Sequence, residues 1–367
     1  MQDNTAKLHL NILEKCLEQT SRKLKIGWVG SGFVGQLGHL AHHQDIPGSN
    51  VIALAELRPK LGEKVCRRYN IPRYYQDHKA LLEDSEIEAV VAIVYRYHTA
   101  PIALDVLNSG RHLFTEKPMA STLDQAKQLV AAGKAKNLLH EVGFMRRHDQ
   151  GVQTGKRILD ELRESKELGN ILFARIYCFG GSDWCNIDGN VKTDEPRPTH
   201  IIWPIAPDWL PRNFHKEYDN FVNVYSHDIN LIRYLFNQRP TVSSTTYRKP
   251  GGSLAALDFD EFPGVFEWAD INQNRWEEGV EIFFERGKLT LELPPAFFRN
   301  QTARVTLYKS NGKTGETICP QTDWTWAFRR QEESFVYSVL SGKKPIANAE
   351  DSLEDFYFIE DIWRKIA

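Results

Sequence analysis

Three glycines within six residues are the first feature of the sequence that could do chemistry. Gly30, Gly32 and Gly35 directly follow a short apolar run and open a segment with helical character. Between a strand and a helix, such glycines allow a tight turn and a close approach of the backbone to a pyrophosphate, which the helix N-terminus attracts. The pattern predicts a dinucleotide site whose cofactor-binding turn is Gly30, Ser31, Gly32, Phe33, Val34 and Gly35.

Two charged residues after the next apolar run bear on the choice of cofactor. Glu56 stands about 20 residues beyond the glycine turn, where a carboxylate can accept hydrogen bonds from ribose hydroxyls and repel a 2′-phosphate. Arg58 could instead bind that phosphate. We predict that both residues contact the cofactor and that it is NAD. The alternative is that the glycines form only a tight turn and Glu56 a solvated strand end.

A lysine after another apolar run is the second candidate for chemistry. Lys117 lies in the sequence Glu116-Lys117-Pro118, directly after the run His112–Thr115. In an open parallel sheet the carboxyl ends of the strands face the ligand crevice, so a lysine there can face the reacting carbon. Burial readily lowers the pKa of a lysine, which suits it for proton transfer or for polarising a carbonyl. By itself the segment could also be a structural loop with a surface lysine.

Alternating strands and helices must position these residues. From Leu24 to about residue 145, short apolar runs alternate with amphipathic stretches, a pattern typical of βαβ units with a parallel sheet and right-handed crossovers. The predicted strands are Leu24–Gly30, Val51–Ala55, Ala89–Val94, His112–Thr115 and Leu138–Gly143, and the predicted helices are Arg58–Tyr69, Ile102–Asn108 and Leu123–Ala132. The fold class of this part is an α/β Rossmann fold with a doubly wound parallel sheet.

The sequence changes character after residue 145. A long irregular stretch rich in Pro and Trp, Trp184–Phe221, is followed by short alternating runs typical of antiparallel strands. The predicted elements are the strands Ile171–Phe179, Val265–Trp268, Gly279–Phe284 and Leu289–Leu293 and the helices Asp228–Phe236, Gln331–Leu340 and Ser352–Lys365. We therefore expect an N-terminal helical extension (1–23), a Rossmann domain (24–144) completed by the C-terminal helices (331–367), and an α+β domain (145–330) for substrate and oligomerisation.

Beyond residue 23, nearly the whole chain resembles the glucose–fructose oxidoreductase / inositol dehydrogenase (Gfo/Idh/MocA) family. The resemblance rests on the glycine motif, the segment Val90–Ala120 with its Glu-Lys-Pro, and the segments Gly143–Arg147, Asn223–Tyr234 and Phe335–Pro345. It implies an NAD-dependent oxidoreductase that transfers a hydride between nicotinamide and a secondary alcohol or ketone carbon of a sugar, glycoside or inositol-like polyol. It also implies that Lys117 lines the substrate site beside the nicotinamide.

The resemblance implies a second catalytic group, from which this chain departs at one position. In the family an Asp-x-x-x-His pair completes the catalytic set; here His227 matches the histidine, but Asn223 stands at the aspartate. An amide cannot ionise, so Asn223 can only hold a substrate hydroxyl or orient a neighbour. His227, with an ordinary pKa of about 6.5, becomes the leading proton carrier. Alternatively, His227 is a helix-start residue with Asp228 as a first-turn carboxylate.

Further contacts follow from the same resemblance. Where the family usually has Thr-Pro-Asn followed by a histidine, this chain has Val94-Tyr95-Arg96-Tyr97-His98-Thr99, and the histidine position falls on Thr99 rather than His98. Trp184 opens an aromatic stretch that could stack on a sugar or form a subunit interface. The expected additional cofactor contacts are Val94, Tyr95, Arg96, His98, Glu116 and Lys117, and the expected substrate contacts are Lys117, Met145, Arg147, Trp184, Asn223 and His227.

Composition argues against several other classes of protein. The formal net charge is -2, which indicates neither a nucleic-acid nor an anionic-membrane partner, and no run of apolar residues is long enough for a transmembrane helix. Five scattered cysteines favour a reducing compartment, so we expect the protein in the cytoplasm. We also expect a homo-oligomer, a dimer or tetramer formed through the C-terminal sheet. His39, His42 and His43 suggest a surface helix rather than a metal site.

Two other functions remain open. One is a glycoside-cleaving enzyme that retains NAD and oxidises a sugar carbon transiently. The other is a non-catalytic NAD-binding regulator, which the replacement of the family aspartate by Asn223 keeps possible.

Overall fold

The computed structural model describes residues 22–197, 203–249 and 251–366. The chain forms two compact units, of which the first comprises residues 1–144, 188–219 and 328–353 and the second 145–187, 220–327 and 354–367. Nearly all of the expected N-terminal extension (1–23) lies outside the described residues. Among the residues described, no helix is both long and apolar enough to span a bilayer.

A six-stranded parallel sheet forms the centre of the first unit. Its strands are β1 (Leu24–Val29), β2 (Ser49–Ala55), β3 (Arg73–Tyr75), β4 (Ala89–Ala92), β5 (His112–Glu116) and β6 (His140–Gly143). They lie in the order β3-β2-β1-β4-β5-β6, so the strand order reverses between β1 and β4. The predicted doubly wound Rossmann sheet is confirmed, and this reversal is where such sheets bind ligands.

Helices connect the strands of the first unit. They are α1 (Pro59–Tyr69), α2 (His78–Leu82), α3 (Arg96–Asn108) and α4 (Leu123–Ala135). A proline at the first position starts α1, and Asn70 in the left-handed conformation (φ 54°) ends it. The segment after the glycine turn forms a π-helical turn at Gly35–His39 and a 3₁₀ turn at Leu40–His42. Helix α3 begins six residues before the predicted start at Ile102, because Tyr95 already serves as its N-cap residue.

The second unit contains an eight-stranded sheet. Its strands are β7 (Ile171–Gly180), β8 (Thr241–Thr246), β9 (Ser253–Asp258), β10 (Pro263–Asp270), β11 (Glu277–Phe284), β12 (Gly287–Leu293), β13 (Arg304–Ser310) and β14 (Gly315–Ile318). The order is β14-β13-β12-β11-β7-β10-β9-β8, and every pairing is antiparallel except that of β7 with β10. This confirms the predicted, mostly antiparallel α+β class.

Helix α5 (Gln150–Ser165) packs closely on this sheet. A Cβ at Gly151 would lie 1.9 Å from the Ala303 carbonyl oxygen, and one at Gly155 would lie 2.8 Å from the side chain of Leu291. These glycines therefore permit the close contact of α5 with β12 and β13. Asp149 caps the helix by accepting a hydrogen bond from the Val152 N–H (3.1 Å), and it also accepts one from the Ala303 N–H (3.0 Å).

Three further helices complete the fold, and they correct parts of the sequence interpretation. They are α6 (His215–Phe236), α7 (Ala327–Ser341) and α8 (Ala349–Trp363). Helix α6 begins at His215, so it includes the end of the stretch that was expected to be irregular. His227 therefore lies in the middle of a helix. The interpretation of His227 as a helix-start residue, with Asp228 in the first turn, is wrong.

The two units also divide the chain differently from the expected domains. Residues 188–219 belong to the first unit, where Gln36 pairs with Val191 through both the N–H and the carbonyl of its backbone (2.8 and 3.0 Å). Residues 354–367, expected to complete the Rossmann domain, belong to the second unit. There Asp355 binds Arg233, and Trp363 packs edge-on against Phe221.

Candidate cofactor and active site

The glycine turn of the first unit has the backbone geometry that a dinucleotide requires. Gly30 adopts φ +87°, and a Cβ there would lie 2.4 Å from the Ile93 carbonyl oxygen. At Gly32, by contrast, a Cβ would meet no described atom within 4 Å, and the residue is exposed. The inner glycine thus permits close packing against β4, while the middle glycine leaves the outer surface of the turn open to a ligand. The residues present fit a bound pyrophosphate.

Glu56, at the end of β2, is held by the turn and by Arg58. Its carboxylate accepts hydrogen bonds from the Ser31 N–H (3.0 Å) and hydroxyl (2.7 Å) and from Arg58 Nε (2.8 Å). Burial alone would raise the pKa of Glu56, but the bonds from Arg58 and Ser31 outweigh it and hold the pKa below its usual range. Glu56 is therefore ionised at neutral pH, and Arg58 is folded onto it rather than extended toward a phosphate.

A second carboxylate lies at the start of α1, directly beyond Arg58, and it was missed from the sequence. Glu195 accepts hydrogen bonds from the backbone N–H groups of Lys60 and Leu61, both at 2.9 Å, and from the Thr193 hydroxyl at 2.9 Å. These N–H groups form the positive end of the helix, which otherwise attracts anions. No local signal marks Glu195, because it lies far along the chain from the helix that it caps.

The residues after β4 form a polar cluster. Asp219 accepts hydrogen bonds from Arg96 Nε (3.1 Å) and from the Tyr97 hydroxyl (2.7 Å). Burial and the hydrogen bond to Asp219 raise the pKa of Tyr97 to about 12, so this phenol is a hydrogen-bond donor at neutral pH. Tyr95 is 57% exposed at the same strand end. Asp219 was not predicted, although it lies one helical turn before Asn223 in the sequence of α6.

Lys117 lies at the carboxyl end of β5, half-buried, and is anchored through its neighbour. Glu116 accepts the Lys117 N–H with one carboxylate oxygen (2.9 Å) and a bond from His39 Nε2 with the other (3.0 Å). Both carboxylate oxygens of Glu116 thus have partners within the unit, and its predicted contact with the cofactor stays a prediction. Strand register aligns Val29 with Ala55 and Ala92, and Ala92 with Thr115. The glycine turn, Glu56, Val94 and Lys117 consequently follow the same edge of the sheet.

The histidines after the glycine turn are not on a surface helix, so that expectation was wrong. His39 is fully buried and His43 nearly so. His39 Nδ1 and His43 Nε2 bind the two carboxylate oxygens of Glu332 on α7, the second at 2.8 Å, while His43 Nδ1 contacts the Ser49 hydroxyl at 2.8 Å. Within the described ranges no group of three or more His, Cys, Asp or Glu side chains is placed to hold a metal ion.

The electrostatics of this cluster are dominated by Glu332. Burial would lower the pKa of His39, but Glu332 and Glu116 outweigh it and raise the pKa to about 9. Burial would likewise raise the pKa of Glu332, but the two histidines lower it to about 2. The cluster therefore carries fixed charges at neutral pH.

The second unit contains the predicted residues of α6. Asn223 and His227 are four residues apart in the helix and both are half-buried. Arg147 and Met145 lie in the interior of this unit. Arg147 donates through Nε to the Asn230 side chain (2.6 Å) and lies over the Tyr234 ring (5.2 Å). These contacts explain the burial of Arg147 without a substrate. Trp184 is 43% exposed and packs edge-on against Phe297.

A second buried ionic cluster lies beside this part of α6. Arg146 forms an ion pair with Glu278 and donates to the Pro294 carbonyl oxygen (2.8 Å), while Glu278 also accepts from Trp276 Nε1 (2.9 Å). Asp228 is 1% exposed and lies near the thiol of Cys178, and its two carboxylate oxygens have no hydrogen-bond partner among the described residues. Burial, reinforced by Glu278 and only partly opposed by Arg146, holds the pKa of Asp228 well above its usual range.

Comparison with known proteins agrees with this geometry. Residues 24–144 match the family described as "Oxidoreductase family, NAD-binding Rossmann fold" (GFO_IDH_MocA). Over 141 residues the chain is 33% identical to inositol 2-dehydrogenase/D-chiro-inositol 3-dehydrogenase of Lacticaseibacillus casei, covering 37% of this chain and 40% of that protein. Levoglucosan dehydrogenase of Pseudarthrobacter phenanthrenivorans is 29% identical over 149 residues, which are 38% of each chain. The chain thus aligns with less than half the length of these relatives.

Solved structures extend the similarity of fold to nearly the whole chain. A levoglucosan dehydrogenase in complex with NADH and levoglucosan superposes with a TM-score of 0.72 at 17% identity, covering 94% of this chain and 97% of that one. The 3-ketoreductase KijD10 of Actinomadura kijaniata, in complex with NADP and TDP-benzene, gives a TM-score of 0.71 at 16% identity, with coverage of 93% and 97%.

The fold and the glycine turn together define a dinucleotide-binding domain of the Rossmann type. Residues 24–144 match the model of the Gfo/Idh/MocA family, the family that the sequence resembles.

Proposed function

We propose that the protein is an NAD-dependent oxidoreductase that transfers a hydride between nicotinamide and a secondary alcohol or ketone carbon of a cyclic sugar, glycoside or inositol-like polyol. The observation that carries this proposal is the position of Lys117 at the sheet edge that also bears the glycine turn and Glu56. Relatives named inositol and levoglucosan dehydrogenases support the substrate class, because both names specify cyclic polyols.

In the proposed reaction the chain handles the substrate and the proton. Bound NAD would supply the hydride acceptor, and the turn Gly30–Gly35 would hold its pyrophosphate. Lys117 or His227 takes the proton of the substrate hydroxyl during oxidation and returns it during reduction. Asn223 donates or accepts a hydrogen bond with a neighbouring hydroxyl but moves no proton.

The proposed preference for NAD rests on two carboxylates. Glu56 is ionised, and Glu195 occupies the first free N–H groups of α1. A 2′-phosphate would meet both negative charges, whereas the ribose of NAD adds no charge of its own. Because Arg58 is already paired with Glu56, it offers less attraction to a phosphate than its sequence position suggested.

We also propose that the protein is a homo-oligomer, a dimer or tetramer, formed through the outer face of the eight-stranded sheet. On that face Arg175 pairs with Glu267 (2.7 Å) and Glu281 (3.2 Å) and covers the ring of Tyr177, which stacks on Phe179. A face that pairs its charges internally and presents aromatic rings suits a subunit contact. Replacing Tyr177 by Asp should shift the mass measured by light scattering toward the monomer.

The proposed location is the cytoplasm. Cys66, Cys178, Cys185 and Cys319, the cysteines within the described part of the chain, are free thiols, a state that a reducing compartment maintains.

A substrate survey with matched variants tests the proposed reaction. The purified protein is incubated with NAD and a panel of inositols, anhydrosugars, hexoses and aryl glycosides, and NADH is followed by absorbance. We expect NADH from at least one cyclic polyol and a loss of turnover of about 10²-fold or more in Lys117→Ala, with NAD binding retained. Lys79, exposed on α2, provides the control, because Lys79→Ala should match the wild type.

Release of an aglycone without net NADH would indicate the glycoside-cleaving alternative instead, and NAD binding without either reaction would indicate the regulator.

The role of His227 has its own test. His227→Ala should lower kcat and flatten its dependence on pH near neutrality, because the group that titrates there is removed. Asn223→Ala should mainly raise KM. Asn223→Asp restores the carboxylate of the family and should move the pH–rate profile to higher pH. Unchanged profiles in both His227→Ala and Asn223→Asp would assign the proton to another group.

A further inference from the structure

A line of buried charged groups connects α7 to Lys117. Glu332 binds His39 Nδ1, His39 Nε2 lies 3.0 Å from one oxygen of Glu116, and the other oxygen of Glu116 accepts the Lys117 N–H at 2.9 Å. All of these residues belong to the first unit. His39, which bridges Glu332 and Glu116, has no part in the proposed reaction itself.

The geometry fixes the protonation of His39. Each ring nitrogen faces a carboxylate oxygen, so each contact needs a hydrogen on one of its two atoms, and the pKa of His39, raised to about 9 by these carboxylates, places both hydrogens on the ring at neutral pH. His39 is therefore an imidazolium that lies between two carboxylates. Both of its N–H groups are committed, and each bond is charge-assisted.

The surroundings allow the ring little freedom. Phe114 and Phe328 pack edge-on against His39, with ring centroids 5.6 and 5.3 Å away. A Cβ at Gly143 would lie 3.2 Å from the same carboxylate oxygen of Glu116 that faces His39, so the absence of a side chain at Gly143 leaves room for this orientation.

The other ionisable groups around the imidazolium leave this arrangement intact. His43 binds the second oxygen of Glu332, and Glu141 lies on β6, where burial and Glu332 hold its pKa well above the usual range and keep it neutral. The charges that face His39 are therefore those of Glu332 and Glu116, with Lys117 beyond Glu116.

We infer that His39 is a positioning residue for the proposed reaction: clamped by Glu332, it holds Glu116 in the orientation that fixes the main chain of Lys117. The inference rests on the proposed function of Lys117. It assigns the glutamate of Glu-Lys-Pro an internal structural partner instead of a ligand, and it links the lysine to the helical turns that follow the glycine turn.

His43 provides a matched control. It is buried in the same cluster and binds the same carboxylate, but it contacts Ser49 and not Glu116. Thermal unfolding of His39→Gln and His43→Gln separates a loss of stability from a loss of activity. With a polyol that the wild type oxidises as substrate, His39→Gln should lower kcat about tenfold or more and keep the Kd for NAD within about twofold of the wild-type value. His43→Gln should keep its kcat within about twofold of the wild type. Equal kcat in the two variants would overturn the inference.

Nuclear magnetic resonance tests the contact without any activity. In protein labelled with ¹⁵N-histidine, His39 should keep both ring nitrogens protonated from pH 6 to about pH 9; a ring that is neutral at pH 8 would overturn the inference. In protein labelled with ¹⁵N-lysine, the Lys117 amide resonance should shift in His39→Gln and stay in place in His43→Gln. If no polyol is oxidised but these resonances behave as expected, only the proposed reaction fails; if oxidation is found but the Lys117 amide is unmoved by His39→Gln, only this inference fails.

Discussion

The two units each bury a cluster of charged side chains, but they balance the charges differently. In the first unit, the imidazolium of His39 lies between Glu332 and Glu116. In the second unit, the guanidinium of Arg146 forms an ion pair with Glu278, and the carboxylate oxygens of Asp228 have no hydrogen-bond partner among the described residues. Both clusters are almost completely buried.

The comparison shows that burial alone does not decide the charge state of a carboxyl group. Glu332 has two cationic or donating partners, and its pKa is lowered to about 2 despite burial. Asp228 faces another carboxylate and has no cation of its own, and its pKa is raised well above the usual range. The number and sign of the neighbours therefore determine whether a buried acid is ionised.

Removal of Arg146 should have the largest effect on stability. In Arg146→Met the carboxylate of Glu278 stays buried without its cation, so we expect the free energy of unfolding to fall by about 3–5 kcal/mol in urea titrations. The control is Arg157→Met, which breaks the exposed Arg157–Glu161 pair and should cost less than about 1 kcal/mol. A similar loss in both variants would mean that Arg146 and Glu278 are not a buried pair.

Glu332→Gln should weaken the dependence of stability on pH above neutrality. Because the pKa of His39 is about 9 in the folded protein and about 6.5 when unfolded, its contribution is complete below pH 6.5 and is lost as the pH rises through 9. The wild type should lose about 3 kcal/mol over this range from His39 alone. In Glu332→Gln the decline should be much shallower and the stability at pH 7 lower. A variant that kept the full alkaline decline would contradict the arrangement.

Asp228→Asn should have a small effect at pH 7, in contrast to both changes above. Asp228 is protonated when folded and ionised when unfolded, so its contribution to stability falls as the pH rises above about 3.8 toward its raised folded pKa. An uncharged amide removes this decline. We expect stability at pH 8 to be unchanged or slightly higher, within about 1 kcal/mol, and measurements at pH 5 and pH 8 would show a flatter dependence. A loss comparable to that of Arg146→Met would show that Asp228 is ionised.

Glu195→Gln should give the smallest change, because this carboxylate lies outside both buried clusters. It should leave stability nearly unaltered and strengthen NADP binding relative to NAD by a few-fold, since one of two negative charges near the start of α1 is gone. Titration of both cofactors by fluorescence would measure the ratio. Weaker binding of both cofactors to the same degree would point to a loss of helix capping instead.

The sequence predicted the parts of the fold whose signals are local. The glycine turn, Glu56 and Lys117 each follow a mostly buried parallel strand, which appears in the sequence as a short apolar run. The strands β8 and β14 were missed because most of their residues are exposed, so neither carries an apolar pattern. The missed helix α5 carries Gly151 and Gly155, which are unfavourable for helices in isolation and are explained only by the sheet beneath them.

The candidate site was less predictable because its key contacts join distant parts of the chain. His39 and Glu332 are 293 residues apart, and Glu195 caps a helix that begins at Pro59. In the sequence, His39 and His43 look like polar residues on an exposed helix face, since the carboxylate that accounts for their burial is not nearby. Arg58 was ambiguous for a different reason: it lies two residues from Glu56, and its pairing with that carboxylate depends on side-chain conformation, which spacing does not predict.

The assembly of the first unit from three separate stretches has a consequence for biosynthesis. A ribosome adding roughly 5–20 residues per second needs roughly 10–40 s to proceed from residue 144 to Glu332. During that interval the first unit lacks residues 188–219 for part of the time, and it lacks throughout the carboxylate of Glu332 that binds His39. The first unit therefore completes its folding only after most of the second unit has been synthesised.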